Sequence, residues 1–587
     1  MKRQYYSLRS TPVESIMSPE VDWKAKAAAK AASISDAIPE TWRIPEPIVT
    51  ADAQRDITGP YLHKYLTGDE IEITETNAVG IVRKVADGEW RAETVARAFC
   101  HRAALAHQYV SCLHEVFFDA AIQNAVALDE YYRQHGKPIG PLHGLPVSLK
   151  DQMHVKGVET TMGYVGWIGT FQGKQGTGLE KQFESEIVTE LRSLGAVLYC
   201  KTSVPQTLMS AETMNNIIGY TFNPKNRNLS SGGSSGGEGA LISLRGSPIG
   251  FGTDYSGSIR MPAAFNGLYG IRPSSGRLPY QGMANSMDGQ NTVLSVVGPL
   301  SHSPADLRLM LESILSRQPW LHDPAVVEMP WRPDIVQATE KLVHSGQRLV
   351  FGMMSCDGEV QPHPPILRAL ALVQKALNCQ GHDIIDWAPP SHKLAVDIVQ
   401  TCWLYDGGED VHHSFGLSGE PIAEQIGWIY GSQAREQMNA SDIARNNVAK
   451  RDYQKEYMEY WNSTSETSGT GRPVEAVIMP AGEAVATRQG CATYGGYTTA
   501  LSALDWTVVT IPITTVDKDV DPVNSSFSSL SDFDALIQQG YIPETYDGAH
   551  VSLQLLGRRF QEEKLLVLAD YIGKTVASYI STSLGKK

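Results

Sequence analysis

Between Gly232 and Gly270 the chain places 11 glycines in 39 residues, where its overall content of 52 in 587 would put three or four. Glycine reaches positive φ and lets backbone N–H groups approach a ligand, and inside regular structure each one costs roughly 0.5–1 kcal/mol. A segment that concentrates this cost is built for close backbone approach. It holds two serines, Ser234 and Ser258, 24 positions apart. No Gly-x4-Gly-Lys-Ser/Thr pattern follows, and Gly250-Phe-Gly252 lacks the rest of a dinucleotide fingerprint, so the segment does not read as a phosphate cradle.

The surrounding pattern predicts how this segment is supported. Apolar runs predict strands at 144–149, 196–200, 248–253, 349–354, 476–480 and 506–512. Helical periodicity predicts helices at 78–85, 92–108, 120–135, 183–194, 235–244, 258–265, 307–315, 364–377, 435–461 and 558–580. Strand-helix alternation of this kind predicts an α/β layered sheet drawn from most of the chain. An Ala/Lys-rich helical pattern at 23–37, ended by Pro39, predicts an N-terminal helical arm over 1–60 laid on a single catalytic body over 61–587. Two polar segments, 462–472 and 524–534, read as surface loops.

Composition excludes several classes of function. The net charge is −14, from 50 basic and 64 acidic residues, without a Lys/Arg run that would track phosphates, so no nucleic-acid partner is expected. Seven cysteines without Cys-x-x-Cys spacing read as reduced thiols rather than disulfides or a zinc site, which suits a cytoplasmic protein. No apolar stretch of about 18 residues is available to span a bilayer, and the first residues carry no secretory h-region. The arm offers a surface for a second subunit, and hence a homodimer.

A serine hydroxyl is a weak nucleophile until a neighbouring base takes its proton, and no histidine lies within the glycine-rich core. Lys150 ends the apolar run Gly-Leu-Pro-Val-Ser-Leu-Lys over 144–150. A lysine at the end of a buried strand is partly desolvated, which lowers its pKa and leaves some amine free to accept a proton. Serine–lysine pairing is a recognised variant of Ser-His-Asp chemistry, identified by geometry rather than chain order. By residue type alone either Ser234 or Ser235 can lie between lysine and nucleophile.

The chain resembles the amidase signature hydrolases, and within them the fungal acetamidase-like and general amidases. The likeness is carried by His-Gly-Leu-Pro-Val-Ser-Leu-Lys-Asp over 143–151, Gly-Gly-Ser-Ser-Gly-Gly-Glu-Gly-Ala over 232–240, and Gly-Thr-Asp-Tyr-Ser-Gly-Ser-Ile-Arg-Met-Pro-Ala-Ala-Phe over 252–265. Further matching segments lie at 212–224, 298–304 and 555–564. The resemblance implies a central mixed, mostly parallel sheet flanked by helices on both faces. It also implies a triad of nucleophile Ser258, bridging Ser234 and base Lys150, with the bridging serine after a cis peptide bond at Gly233–Ser234. The implied oxyanion donors are the backbone N–H groups of Tyr255, Ser256, Gly257 and Ser258, with Asp254 and Arg260 organising the loop. The expected substrate is a small neutral carboxamide, cleaved to acid and ammonia through an acyl-enzyme, with neither metal nor organic cofactor.

One position departs from the family pattern: Ser256 stands where a glycine is usual. If that position needs positive φ, a serine there is strained by roughly 1–2 kcal/mol. Two other readings follow from the same residues. One is an amidotransferase A-type subunit that produces ammonia inside a complex, against which the acetamidase-like segments at 215–224 and 557–564 speak; the other is a non-catalytic relative. Asp406, Asp410, His412 and His413 cluster without metal-ligand spacing and receive no ligand role. Tyr164, Trp167, Trp403, Tyr405 and Trp506 are candidates for an acyl pocket or, more ordinarily, core.

Overall fold

The computed structural model describes residues 22–491 and 493–584. The first 21 residues of the expected arm lie outside them. From Trp23 to Asp36 the arm is a helix whose first turn is capped by the Asp22 carboxylate, which accepts from Lys24 N and Ala25 N. Its Lys30 reaches into the body, pairing with Glu115 at 2.5 Å and Glu159 at 2.7 Å.

The strands are β1 (Leu113–Val116), β2 (Pro146–Lys150), β3 (Val197–Thr202), β4 (Met214–Asn215), β5 (Gly219–Tyr220), β6 (Ile249–Asp254), β7 (Tyr269–Arg272), β8 (Val296–Ser301), β9 (Val350–Met353), β10 (Asp383–Asp386), β11 (Val477–Pro480), β12 (Val508–Thr515) and β13 (His550–Leu556). Strands β4 and β5 form a separate ribbon, and the other eleven form one sheet in the order β1-β3-β2-β6-β8-β7-β12-β13-β11-β9-β10. The sheet is mixed and flanked by helices. Its four parallel pairings lie in two blocks, β3-β2-β6 and β11-β9-β10. The remaining six are antiparallel and fill the middle and one edge. The parallel character expected of the sheet is thus concentrated in those blocks. The antiparallel middle runs through β8, β7, β12 and β13, and β7 passes to β8 with no helix between them.

Residue alternation along the strands shows the two helical layers. On β12, Val509 and Ile511 pack with residues of the helices Pro304–Leu315, Pro364–Cys379 and Glu562–Leu584. Val508 faces the helices His392–Cys402, Ala440–Thr467 and Gly496–Leu504. Strand β2 is buried along its whole length, which is why it reads as a continuous apolar run rather than an alternating one. The helix Ala440–Thr467 runs through 462–467, which the sequence reads as loop. The buried Trp461 and Thr464 hold that last turn in place. In 524–534, Asp532–Asp534 already belong to the helix Asp532–Gln539. All seven cysteines are free thiols. Among the described residues no helix is long and apolar enough to cross a membrane.

Candidate active site

Three chain segments meet at the sheet's parallel block: the end of β2, the entry to the helix Gly236–Ser243, and the turn after β6. At the first, Lys150 is fully buried. Its Nζ donates to Ser234 Oγ at 2.7 Å and to Thr253 Oγ1 at 2.8 Å. Burial strips solvent from the ammonium and lowers its pKa to about 7, against the opposing pull of the Asp254 and Glu238 carboxyls. Glu238 is itself fully buried and pushed up to about 8 by desolvation, while Ser148 and Thr202 donate to it at 2.6 Å and 2.9 Å.

The Gly233–Ser234 peptide bond is cis. A methyl group on Gly233 would run into the Ser210 carbonyl, so this position admits no side chain. Ser235 faces elsewhere: its hydroxyl donates to the Thr253 carbonyl at 3.4 Å, and its N–H donates to the Ser258 carbonyl at 3.1 Å. The lysine is therefore hydrogen-bonded to Ser234 and not to Ser235.

The turn from β6 into the helix Arg260–Phe265 carries Ser258. Asp254 organises it. One carboxylate oxygen accepts from Gly257 N at 2.8 Å, the other from Ile259 N at 3.1 Å. Arg260 closes the same carboxylate with two hydrogen bonds, then donates to the Thr498 carbonyl at 2.9 Å and to Ser502 Oγ at 3.2 Å. Burial alone would raise the Asp254 pKa, but the Arg260 and Arg272 guanidinium groups hold it well below the usual carboxylate range. Gly257 has φ +125°, and a methyl group there would strike the Thr498 side chain. Ser256 is not among the residues with positive φ, so the strain considered for it does not arise; the neighbouring Gly257 takes the unusual conformation. Ser256 Oγ is buried without a partner, and its carbonyl accepts from Thr498 Oγ1 at 2.7 Å.

Of the four N–H groups expected to face an oxyanion, that of Gly257 is already committed to Asp254. Among the described residues, those of Tyr255, Ser256 and Ser258 have no acceptor, and no hydrogen bond reaches Ser258 Oγ. Ser258 stands where two cavities of about 430 Å³ and about 670 Å³ meet, with Leu208, Met209, Tyr255 and Trp403 bordering both. Ser234, Thr253 and Gln152 line the smaller cavity, and Gly233, Ser256 and Gly257 the larger.

Of the five aromatics weighed from sequence, only Trp403 lines these cavities. Tyr164 and Trp167 pack with Phe415, and Trp506 packs with Tyr457 and Trp461. Asp406 caps its own turn by accepting from Gly408 N and Asp410 N, Asp410 accepts from Met287 N, and a His412 ring nitrogen meets the Tyr430 carbonyl. Thr253, Gln152 and Glu238 were missed as site residues. Thr253 lies beside Asp254 inside a motif quoted above, and Gln152 stands one residue past the motif that ends at Asp151, but buried neutral polar side chains give no chemical signal of their own.

Comparison with known proteins bears on the family and the fold. The protein-family model for Amidase matches residues 94–566. The chain is 44% identical over 559 residues to an acetamidase of Emericella nidulans, covering 95% of this chain and 99% of that protein. It is 43% identical over 556 residues to an acetamidase of Aspergillus oryzae, with the same coverage of 95% and 99%. Among solved structures it superposes on a fatty acid amide hydrolase with a TM-score of 0.85 and 32% identity, covering 94% of this chain and 95% of that one.

Proposed function

The chain belongs to the amidase family, and on that premise we propose that it hydrolyses a small neutral carboxamide to a carboxylic acid and ammonia through an acyl-enzyme on Ser258. The observation that carries this reading is the 2.7 Å hydrogen bond between Lys150 and Ser234 at the wall of a cavity that Ser258 also lines. With its pKa lowered to about 7, a substantial share of Lys150 is uncharged at neutral pH. Uncharged Lys150 takes the Ser234 proton while Ser234 takes the Ser258 proton, and Ser258 Oγ attacks the amide carbonyl.

The free N–H groups of Tyr255, Ser256 and Ser258 are the oxyanion donors in this scheme, and Gly257 serves by shaping the turn. Loss of one such donor typically costs about 3–4 kcal/mol of transition-state stabilisation. The relay then protonates the departing nitrogen, ammonia leaves, and water hydrolyses the ester by the same route. The smaller cavity is in the size range of drug-sized ligands, so the acyl group has room beyond acetyl.

The test is ammonia release from primary amides by the purified chain alone, with Ser258→Ala as control. Turnover by the wild-type chain and none by a folded Ser258→Ala protein support the reading. Full activity in Ser258→Ala would end it, and a requirement for glutamine and partner subunits would favour an amidotransferase role instead.

A further inference from the structure

We propose that Gln152 is a positioning residue: it commits the Thr253 hydroxyl proton away from Lys150, so that Ser234 is the hydroxyl donor left facing the amine. This assignment rests on Lys150 acting as the base. The Ala284 carbonyl fixes the rest, because a carbonyl oxygen only accepts, and it lies 2.8 Å from Gln152 Nε2. Turning the amide over would set Oε1 against that carbonyl and against Asn285 Oδ1, which lies 3.1 Å away and already accepts from Tyr280 OH. The second orientation is therefore repulsive.

Gln152 Oε1 consequently faces Thr253 Oγ1, at 2.7 Å, and takes its proton. A hydroxyl has one proton, so Thr253 meets Lys150 Nζ, at 2.8 Å, only with a lone pair. Uncharged lysine has two N–H bonds and one lone pair. One N–H goes to Thr253, and the hydroxyl placed to donate to the lone pair is that of Ser234, at 2.7 Å. Without the Gln152 acceptor, Thr253 is free to turn its proton onto the lone pair and occupy the base. The carboxyl groups that act on the Lys150 charge are Asp254, at the end of β6, and Glu238, on the helix Gly236–Ser243.

The experiment measures kcat and KM for butyramide hydrolysis from pH 5.5 to 10 by the full chain. The proteins are wild type, Gln152→Met, Gln152→Glu, Thr253→Val, the Gln152→Met/Thr253→Val pair, and Ser258→Ala, each with a thermal unfolding curve. Gln152→Met is expected to lower kcat by about tenfold with KM nearly unchanged. In the Thr253→Val background the same change is expected to have almost no further effect, because its intermediary is gone. Gln152→Glu keeps an acceptor for Thr253 but adds negative charge, and should move the acid limb of kcat/KM upward by about one pH unit.

Equal losses from Gln152→Met in both backgrounds, or an unmoved acid limb in Gln152→Glu, would overturn the assignment. If Gln152→Met fails to fold, the acid limb of Gln152→Glu decides. An inactive Ser258→Ala beside wild-type behaviour of the Gln152 variants removes this inference alone, whereas an active Ser258→Ala removes the acyl-enzyme reading beneath it.

Discussion

Asp254 and Arg260 face each other through a two-point contact, 3.0 Å from Nε to one carboxylate oxygen and 2.9 Å from Nη2 to the other, and both side chains are fully buried. The pair spans the turn that holds Ser258. Lysine cannot reproduce this fork, so Arg260→Lys is expected to weaken the turn although the charge is retained. Asp254→Ala goes further, leaving Arg260 buried without its carboxylate and Arg272 with Asp505 alone, at a cost of about 3–5 kcal/mol. Denaturant unfolding of both variants checks the order: Asp254→Ala should have the lowest midpoint and the lower activity.

Activity should depend on pH through Lys150. Its pKa in the folded chain is lowered to about 7, so below that value the ammonium form prevails and no lone pair is available. The kcat/KM profile is expected to rise through a limb near pH 7 and flatten above it. Lys150→Arg stays charged at every accessible pH and should be inactive across the range. A wild-type profile flat from pH 5 to 9 would contradict the assignment of Lys150 as base.

Gly257→Ala tests the shape of the turn rather than its charges. The new side chain would have to hold φ near +125° and displace Thr498. The strained backbone alone costs about 1–3 kcal/mol, before any displacement of Thr498. A midpoint shift in denaturant together with a fall in kcat is the expected result.

Ser256→Ala should behave in the opposite way. The hydroxyl it removes is buried and unpartnered, and an unsatisfied buried polar group costs about 1–3 kcal/mol. The variant is expected to be as stable as wild type or more so, with kcat within a few-fold, as judged by thermal unfolding and ammonia release.

An acyl-length series reads the smaller cavity. From acetamide upward, each methylene that finds apolar wall contributes about 0.8 kcal/mol, or roughly fourfold in kcat/KM, until the space is filled. Trp403→Ala removes a wall shared by both cavities and should flatten the series.

The candidate site was largely legible because its chemistry sits at strand ends and in glycines that admit no side chain. Lys150 closes a buried strand, and the two serines lie in turns whose backbone positions cannot be met by other residues. Direction was not legible: which serine the lysine touches depends on how three separate segments pack, and which way Gln152 turns depends on the Ala284 carbonyl, 132 positions along the chain. In the fold, the long strand-helix units were visible, whereas the four-residue strand β7 is too short to carry a pattern, and β8 and β13 pair antiparallel with both their neighbours, so no parallel crossover unit marks them. The turn at 462–467 reads as loop from its serines and threonines, yet the buried Trp461 and the bond from Val474 N to Thr464 Oγ1, at 3.1 Å, keep it helical.

Arg260 ties the turn that carries Ser258 to Thr498 and Ser502, residues made more than 200 positions later. A nascent chain that has emerged through the helix after Ser258 already carries Lys150, Ser234, Ser258 and the Asp254–Arg260 pair, but not the Thr498 carbonyl and Ser502 hydroxyl that receive the rest of the guanidinium. On the proposed mechanism, a polypeptide truncated before Thr498 would hold all three proposed catalytic residues and is expected to be inactive, because Arg260 loses its far partners.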